Sequence, residues 1–118
     1  MRVGIDLIEI ARIEKACARW GHRFLARIYT DREVAACGSR KSSLASRFAA
    51  KEATAKALGV GIGALSWKDI EIISQGNGQP ELVLHGRALA RARELGIHGM
   101  AVSLSDTQQH AIAIVVML

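Results

Sequence analysis

Two hydrophobic patterns alternate along the chain, and together they predict a protein of mixed helix and strand. Short runs of β-branched and other apolar residues, bounded by glycine and polar residues, are typical of strands. Five such runs occur: Val3–Ile10, Asp69–Ser74, Glu81–Leu84, Met100–Leu104 and Ala111–Met117. The Asn77-Gly78 pair predicts a hairpin turn between the second and third runs. The polar segment Ser105–His110 predicts a turn between the last two.

Four segments have helical spacing or helical end signals. They are Ala11–Trp20, a brief helix from a cap at Thr30 to Gly38, Leu44–Leu58 and Gly86–Leu95. One face of the first helix carries the apolar residues Ile13, Ala16, Cys17 and Trp20. Thr30 and Glu33 have the spacing of a capping box. The third helix is alanine-rich, contains no glycine or proline, and is followed by Gly59 as a C-terminal cap.

The order of these elements predicts the architecture. One strand, three helices, two strands, one helix and two strands indicate an α+β protein with a mostly antiparallel sheet. The long alanine-rich helix is expected to pack on that sheet. At 118 residues the chain is expected to form a single domain over residues 1–118. The segments Ser39–Ser43 and Val60–Leu65 are expected to be loops.

Composition narrows the class of protein. A hydrophobic fraction of 50% with 23% charged residues is typical of a globular chain and excludes a disordered one. Cys17 and Cys37 are too few for a disulfide framework and are expected as free thiols. No apolar run approaches the roughly 20 residues that span a bilayer. Charged residues among the first ten do not fit a signal peptide, so we expect a cytoplasmic protein without a membrane partner.

The net charge points to an acidic partner. Sixteen basic residues against eleven acidic ones give a formal charge of +5. A basic surface attracts nucleic acid, anionic lipid, phosphorylated metabolites or acidic proteins, and charge alone does not choose among them. Two Trp, one Tyr and two Phe are few for a surface that stacks on bases.

Two carboxylates are candidates for a metal site. Asp6 lies inside an apolar strand, where an ionised side chain is costly unless it has a partner. Glu52 lies on the alanine-rich helix, four residues before Lys56 and on the same face. Carboxylates brought together from strand and helix suit Mg²⁺, which also binds water and substrate phosphates. The alternative is that Asp6 caps a turn while Glu52 and Lys56 form an ordinary surface pair.

Other polar groups allow phosphate binding. The basic residues Arg40, Lys41, Arg47 and Lys51 either bind phosphate or form a solvated face. The hydroxyls of Ser103 and Ser105 share one side of a predicted strand end and are candidates for binding a phosphate or an adenosine. The segment Gly59–Gly63 lacks the Lys-Ser/Thr of a P-loop, so a helix cap followed by a close-approach loop is expected.

Three segments carry a resemblance to a known family. They are Gly4-Ile-Asp-Leu-Ile-Glu-Ile-Ala-Arg12, Arg47-Phe-Ala-Ala-Lys-Glu-Ala-Thr-Ala-Lys-Ala57 and Gly59-Val-Gly-Ile-Gly63. Their order and spacing resemble the holo-acyl-carrier-protein synthases, the small bacterial type of 4′-phosphopantetheinyl transferase. The resemblance implies that family's fold and its reaction, in which coenzyme A gives 4′-phosphopantetheine to a serine of apo acyl carrier protein in fatty acid biosynthesis. Adenosine 3′,5′-bisphosphate is the other product.

The resemblance also implies roles for individual residues. Asp6 and Glu52 match the family's Mg²⁺ ligands, and Lys56 matches a lysine near the coenzyme A phosphates, so these three are the expected catalytic residues. Contacts to coenzyme A are expected at Arg47, Lys56, Gly61 and Ser105. Contacts to the acidic carrier protein are expected at Arg12, Arg23 and Arg27. The family assembles as a homotrimer with coenzyme A in the cleft between neighbouring subunits.

One departure and two alternatives accompany this interpretation. The family commonly has His directly after its Ser-x-Ser, where this chain has Asp106, with His110 four residues on. A basic nucleic-acid-binding domain would explain the charge, but Asp6 and Glu52 would repel phosphate without a metal ion, so nucleic acid is not the expected partner. An inactive trimeric relative is the second alternative.

Overall fold

A computed structural model describes all 118 residues, Met1–Leu118. It contains five strands, five α-helices and two short 3-10 helices. In chain order they are β1 (Arg2–Glu9), α1 (Ile10–Trp20), α2 (His22–Ile28), α3 (Asp31–Cys37), α4 (Lys41–Ala57), the 3-10 helices Ile62–Ala64 and Trp67–Asp69, β2 (Ile70–Ser74), β3 (Pro80–Leu84), α5 (Gly86–Glu94), β4 (Met100–Asp106) and β5 (His110–Met117). None of the helices combines the length and the apolar character needed to cross a bilayer.

The strands form two antiparallel sheets. The larger has the order β1-β5-β4, and the smaller pairs β2 with β3. In the larger sheet the central strand β5 places Ala113 opposite Asp6 on one side and opposite Leu104 on the other. The predicted α+β class, the antiparallel pairing and the β2–β3 hairpin are therefore confirmed.

One helix, α2, was not predicted. Gly21 at φ 54° separates it from α1, and no side chain caps its first turn. A helix of seven residues is too short to show a clear apolar periodicity, and without a capping residue its start has no sequence signal. The sequence therefore predicts a connecting segment here. The apolar face of α1 is only partly buried: Ile13 is buried, whereas Trp20 at the end of the helix is 49% exposed.

Two element boundaries differ from the prediction by more than one residue. Helix α4 begins at Lys41, so the last three residues of the predicted loop Ser39–Ser43 are helical. Its N-cap residue, Arg40, makes no side-chain cap, which removes the usual start signal. Strand β4 runs through Ser105 and Asp106, two residues into the predicted turn, because both residues still pair with β5.

Helix α4 packs against the three-stranded sheet through small side chains. Its buried residues include Ala45, Ala49, Ala50, Ala53, Ala55 and Ala57. Methyl side chains allow a helix and a strand to approach closely, and β1 meets the helix at Gly4. An ideal Cβ built on Gly4 would lie 1.8 Å from the carbonyl oxygen of Ala53. Only glycine fits at this position of the strand.

Hydrogen bonds from the rest of the chain hold both ends of α4. The Tyr29 hydroxyl donates to the Leu44 carbonyl at 2.7 Å near its start. At its end, Arg2 Nε donates to the Ala57 carbonyl at 2.6 Å and Arg91 Nε to the Leu58 carbonyl at 3.1 Å. Gly59 adopts φ 72° there, and its N–H donates to the Lys56 carbonyl. The predicted C-terminal glycine cap is confirmed.

The Gly4 contact leads to the first prediction. We expect Gly4→Ala to lower the free energy of unfolding by about 3 kcal/mol or more, the upper end of what overpacking a core costs. The reason is that the added methyl meets backbone, which cannot rotate away. Denaturant unfolding followed by circular dichroism measures the change.

Gly76→Ala is the matched control, since a Cβ at Gly76 meets nothing within 4 Å. That variant should differ from the wild type by no more than about 0.5 kcal/mol. A Gly4→Ala protein as stable as the control would contradict the proposed closeness of α4 and β1.

Candidate active site

Strand β1 presents Asp6 to helix α4. Side chains alternate across a strand, and the alternation here sends Gly4, Asp6 and Ile8 toward the helix. Gly4 and Ile8 are buried on that side and Asp6 is half-buried. The alternate residues Val3, Ile5 and Leu7 face outward, 52%, 52% and 62% exposed. The close approach at Gly4 therefore brings the Asp6 carboxylate to the surface of α4.

Lys56 reaches across from the helix to the strand. Its Nζ lies 3.2 Å from Asp6 Oδ1 and donates to the Ile5 carbonyl at 2.9 Å. The alternative of an ordinary surface salt bridge between Glu52 and Lys56 is thus wrong: the lysine pairs with Asp6 instead. The cation links α4 to β1 at the edge of the site, where its side chain remains half-exposed.

Glu52 belongs to the same cluster of charges. Its pKa is raised, first by partial burial and then by the neighbouring negative charge of Asp6. The positive charges of Lys56 and Arg12 oppose this rise. Two carboxylates and two cations therefore lie within electrostatic reach of one another, and the carboxylates repel.

The carboxylate pair fits a hard divalent cation. Burial is the larger cause of the raised Glu52 pKa, and a cation between Asp6 and Glu52 would relieve the repulsion that adds to it. No group of three or more His, Cys, Asp or Glu side chains that could hold a metal occurs in the chain. Mg²⁺ does not need such a group, since one or two carboxylates, with water and substrate phosphates, complete its coordination.

A second candidate region surrounds Arg47. This residue is 8% exposed, and its guanidinium donates to the Ser74 hydroxyl at 3.1 Å and the Ser43 carbonyl at 3.4 Å. Its Nε is buried without a hydrogen-bond partner. The residue borders a cleft of about 530 Å³ that Ser46, Ser103 and Asp106 also line. A buried donor without a partner beside polar hydroxyls suits an anionic ligand, although Asp106 adds a negative charge to the same cleft.

The four residues expected to contact coenzyme A do not meet within one chain. Arg47 and Lys56 are nine residues apart on α4, which places them on opposite sides of the helix and roughly 13 Å apart along its axis. Gly61 lies in the exposed loop after the helix, with open space around its Cα. Ser105 is exposed on β4 and is not among the residues that line the Arg47 cleft.

Lys51 and Arg47 do not form a solvated face, so that alternative is wrong for both. The Lys51 side chain is 0% exposed, and its Nζ lies 2.7 Å from Glu33 Oε1. Burial lowers the pKa of Lys51, and the neighbouring Glu33 carboxylate opposes this effect. Glu33 was predicted only as part of the capping box, which the structure confirms.

The residues expected to contact the carrier protein lie on the first two helices. Arg23 and Arg27 border a cleft of about 640 Å³ together with Trp20, Phe24 and Trp67. Arg12 is exposed on α1, and its charge acts on Glu52. Of these three arginines, Arg12 is the one whose charge acts on the carboxylate cluster.

The sequence did not predict the roles of three residues at these sites, Gly4, Glu33 and Ser46. The role of Gly4 had a signal, since a glycine inside a strand often marks a close backbone approach. Glu33 as the partner of Lys51 had none, because it comes from another helix and no fixed spacing connects the two residues. Ser46 had none either, since a serine next to an arginine on a helix does not indicate a shared cleft.

Comparison with known proteins gives a consistent result. The family model of the 4′-phosphopantetheinyl transferase superfamily matches residues 2–115. The holo-acyl-carrier-protein synthase of Herpetosiphon aurantiacus is 50% identical over 120 residues, which cover 96% of this chain and 94% of that protein. The enzyme of the same name from Moorella thermoacetica is 50% identical over 117 residues, covering 97% and 91%.

Solved structures agree with the sequence relatives. The crystal structure of Helicobacter pylori holo-acyl-carrier-protein synthase in complex with coenzyme A superposes with a TM-score of 0.90 at 38% identity. The match covers 98% of this chain and 99% of that one. The fold expected from the sequence resemblance is therefore confirmed.

The raised pKa of Glu52 leads to the second prediction. Its ionised form is disfavoured in the folded state, so at neutral pH this group lowers stability, and protonation removes the penalty. We expect Glu52→Gln to melt at a higher temperature than the wild type at pH 7 in the presence of a chelator. The difference should shrink as pH falls through the Glu52 pKa, because the wild-type side chain then also becomes neutral.

Thermal unfolding by calorimetry at pH 7 and pH 4 measures this difference. Glu14→Gln, an exposed position on α1, is the matched control and should change the melting temperature little at either pH. A Glu52→Gln protein that melts below the wild type at pH 7 would contradict the electrostatic description of the site.

Proposed function

The chain belongs to the 4′-phosphopantetheinyl transferase superfamily, and we propose that Asp6, Glu52 and Lys56 form its catalytic centre. The enzyme transfers 4′-phosphopantetheine from coenzyme A to a serine of apo acyl carrier protein. The products are holo acyl carrier protein and adenosine 3′,5′-bisphosphate. The observation that carries the assignment of the centre is the meeting of two carboxylates and one lysine between β1 and α4.

The reaction exchanges a phosphoanhydride bond for a phosphoester bond. The serine oxygen of the carrier protein forms a bond to the β-phosphorus of coenzyme A, and the pyrophosphate P–O bond to the nucleotide breaks. The serine hydroxyl proton is released to the solvent, and the electrons of the broken P–O bond leave with adenosine 3′,5′-bisphosphate. The nucleophile comes from the partner, so the enzyme needs no nucleophile of its own. Its contribution is positioning and the neutralisation of phosphate charge.

Asp6 and Glu52 would hold Mg²⁺ in this site. The ion, when bound, would neutralise charge on the phosphate oxygens of coenzyme A. Asp6 is fixed by its strand and by Lys56, and Glu52 by the helix, so the two carboxylates are held in place without a third protein ligand. This leaves room for substrate phosphate among the metal ligands.

Lys56 supplies a second positive charge at the same place. Its Nζ is anchored to β1 by the Ile5 carbonyl and Asp6, which restricts where the cation can move. An ammonium has three donors, so one remains for a phosphate oxygen. Lys56 therefore binds a phosphate of coenzyme A and offsets the negative charge that develops there during transfer.

Coenzyme A is contacted by two subunits in this proposal. Arg47 and Lys56 lie on opposite sides of α4, so the two side chains do not face a common cleft of the same chain. A coenzyme held by Lys56 and Gly61 of one subunit and by Arg47 and Ser105 of its neighbour satisfies all four expected contacts. The unpartnered Arg47 Nε supports an anionic group in its cleft.

The outer face of the larger sheet supports a homotrimer. Val3, Ile5 and Leu7 of β1 lie beside Val116, Ile114 and Ile112 of β5 on that face. The exposed side chains form a continuous apolar surface, which a soluble monomer rarely leaves uncovered. We propose that this face packs against its equivalents in two other copies.

Arg12, Arg23 and Arg27 form the proposed docking surface for the carrier protein. All three guanidiniums lie on α1 and α2, and Arg12 is the one that acts electrostatically on Glu52. A basic surface that begins beside the catalytic centre would orient an acidic partner with its serine toward the phosphates. A nucleic-acid-binding role is set aside by the family assignment.

The third prediction tests the carboxylate pair. We expect Asp6→Ala and Glu52→Ala each to reduce Mg²⁺-dependent formation of holo carrier protein by at least about 100-fold, since each removes one of two protein ligands. A mass-shift assay on apo carrier protein measures transfer, and circular dichroism verifies the fold. Glu14→Ala, at an exposed position on α1, is the control and should keep wild-type transfer. Near-normal transfer by either folded variant would exclude a shared ion.

The fourth prediction tests the assembly. The double variant Ile5→Lys/Leu7→Lys places two charges on the outer sheet face, so we expect a folded monomer by light scattering that has lost transfer activity. Ala90→Lys on the exposed side of α5 should remain trimeric and active. A fully active monomer would contradict an active site shared between subunits, and a trimeric double variant would contradict the assigned interface.

A further inference from the structure

A buried ion pair lies directly behind the proposed catalytic centre. Lys51 precedes Glu52 in the sequence, and its side chain points about 100° away from that of Glu52 around the helix. Both Lys51 and its partner Glu33 have side chains that are 0% exposed. Neither touches the carboxylate cluster, and the reaction described above uses neither.

Every polar group of this pair has a partner. Lys51 Nζ donates to Glu33 Oε1 at 2.7 Å, to the Trp67 carbonyl at 3.1 Å and to the Ile70 carbonyl at 2.5 Å. Glu33 Oε1 also accepts from the Thr30 N–H at 3.0 Å, and Oε2 accepts from the Ile72 N–H at 3.1 Å. The pair thus connects α4 to α3, to the start of β2 and to the 3-10 helix before it.

These bonds constrain the rotation of α4 about its own axis. The helix packs on the sheet mainly through alanine, and methyl groups distinguish poorly between neighbouring rotations. The hydrogen bonds at its two ends reach backbone carbonyls, and the ring of Phe48 stacks on Trp67 without a directional bond. Two other side chains of α4 also make directional bonds to other elements, Lys56 to β1 and Arg47 to Ser74 of β2. Lys51 differs from them because it is fully buried and its bonds reach three other segments.

A small rotation would be enough to disturb the centre. Side-chain ends lie about 5–6 Å from the axis of a helix, so a turn of about 10° moves them by roughly 1 Å. A displacement of that size at a reacting centre can cost about 100-fold in rate. Glu52 and Lys56 both lie on α4, while Asp6 lies on β1, so rotation would separate them.

We propose that Lys51 and Glu33 are positioning residues: their buried ion pair fixes the rotation of α4 and holds Glu52 and Lys56 against Asp6. The inference rests on the proposed function, since it assigns the pair a role through Glu52 and Lys56. The surroundings determine which end of the pair is positive and which is negative. Backbone carbonyls accept from the lysine, and backbone N–H groups donate to the carboxylate.

The test is the double variant Glu33→Gln/Lys51→Met. Glutamine also serves at the third position of a capping box, and replacing a buried ion pair with neutral side chains of similar volume is often neutral for stability. We therefore expect a folded protein whose kcat falls by 10- to 100-fold while KM for the carrier protein stays within twofold. We also expect the double variant to bind Mn²⁺ at least fivefold more weakly than the wild type does, with coenzyme A present and carrier protein absent. Electron paramagnetic resonance measures this affinity.

Glu94→Gln is the matched control. It removes the exposed Arg91–Glu94 pair on α5 and should change neither kcat nor Mn²⁺ affinity. A folded double variant with kcat and Mn²⁺ affinity within twofold of the wild type would overturn the inference. If the double variant does not fold, Lys51→Met alone is measured, since it removes every directional bond of Lys51 while Glu33 keeps the Thr30 and Ile72 N–H groups as donors. An unchanged kcat in that variant would overturn the inference equally.

Measuring Asp6→Ala in parallel distinguishes a failure of the proposed ion site from a failure of the positioning role of Lys51 and Glu33. If Asp6→Ala keeps wild-type Mn²⁺ affinity, the assigned ion site is wrong whatever the ion pair does. If Asp6→Ala loses Mn²⁺ while the double variant keeps it, the ion site stands and only the positioning role fails.

Discussion

A side chain on residue 4 would lie 1.8 Å from the carbonyl oxygen of Ala53, so strand β1 and helix α4 meet at this distance only because that residue is glycine. The candidate site depends on this contact. Asp6 is two residues along the strand and faces the same side. Glu52 is the residue before Ala53, and Lys56 follows one turn after Glu52. A wider separation of helix and strand would leave the carboxylates apart and Lys56 unable to reach Asp6.

The contact also explains why the charges at the site oppose one another. Packing the helix on the strand partly buries Glu52 beside Asp6 and raises the Glu52 pKa. Lys56 offsets part of the repulsion, and a divalent cation would offset the rest. The folded protein thus holds two carboxylates in an arrangement that is less stable alone than with a cation. Such an arrangement is typical of a binding site, since the unfavourable electrostatic free energy of the empty site is relieved when a cation binds.

Helix α4 carries functional groups on two opposite sides. Glu52 and Lys56 face β1, whereas Arg47 faces a cleft on the other side of the helix beside β4. A helix with functional groups on opposite sides suits an assembly in which each subunit completes a site with its neighbour. The exposed apolar face of β1 and β5 supplies a surface for such an assembly. Asp106 lies in the cleft with Arg47 and adds a negative charge there.

Much of the fold could be predicted because its signals are local. Strand periodicity, the Thr30–Glu33 capping box and Gly59 at the end of α4 identified most elements, but α2 has no cap and α4 starts without one. Asp6 was recognisable as a carboxylate inside an apolar strand. The burial of Lys51 was not, because its partner Glu33 lies eighteen residues away on another helix. Motif resemblance supplied the reaction, which no residue spacing specifies.

The most direct test of the account is a crystal structure with coenzyme A and Mn²⁺, with data collected at the manganese absorption edge. The account predicts one anomalous peak that contacts both the Asp6 and Glu52 carboxylates and a phosphate oxygen of coenzyme A, at oxygen distances of roughly 2.0–2.2 Å. A manganese peak bound by only one of the two carboxylates, or by neither, would contradict the shared ion on which the proposed centre is built.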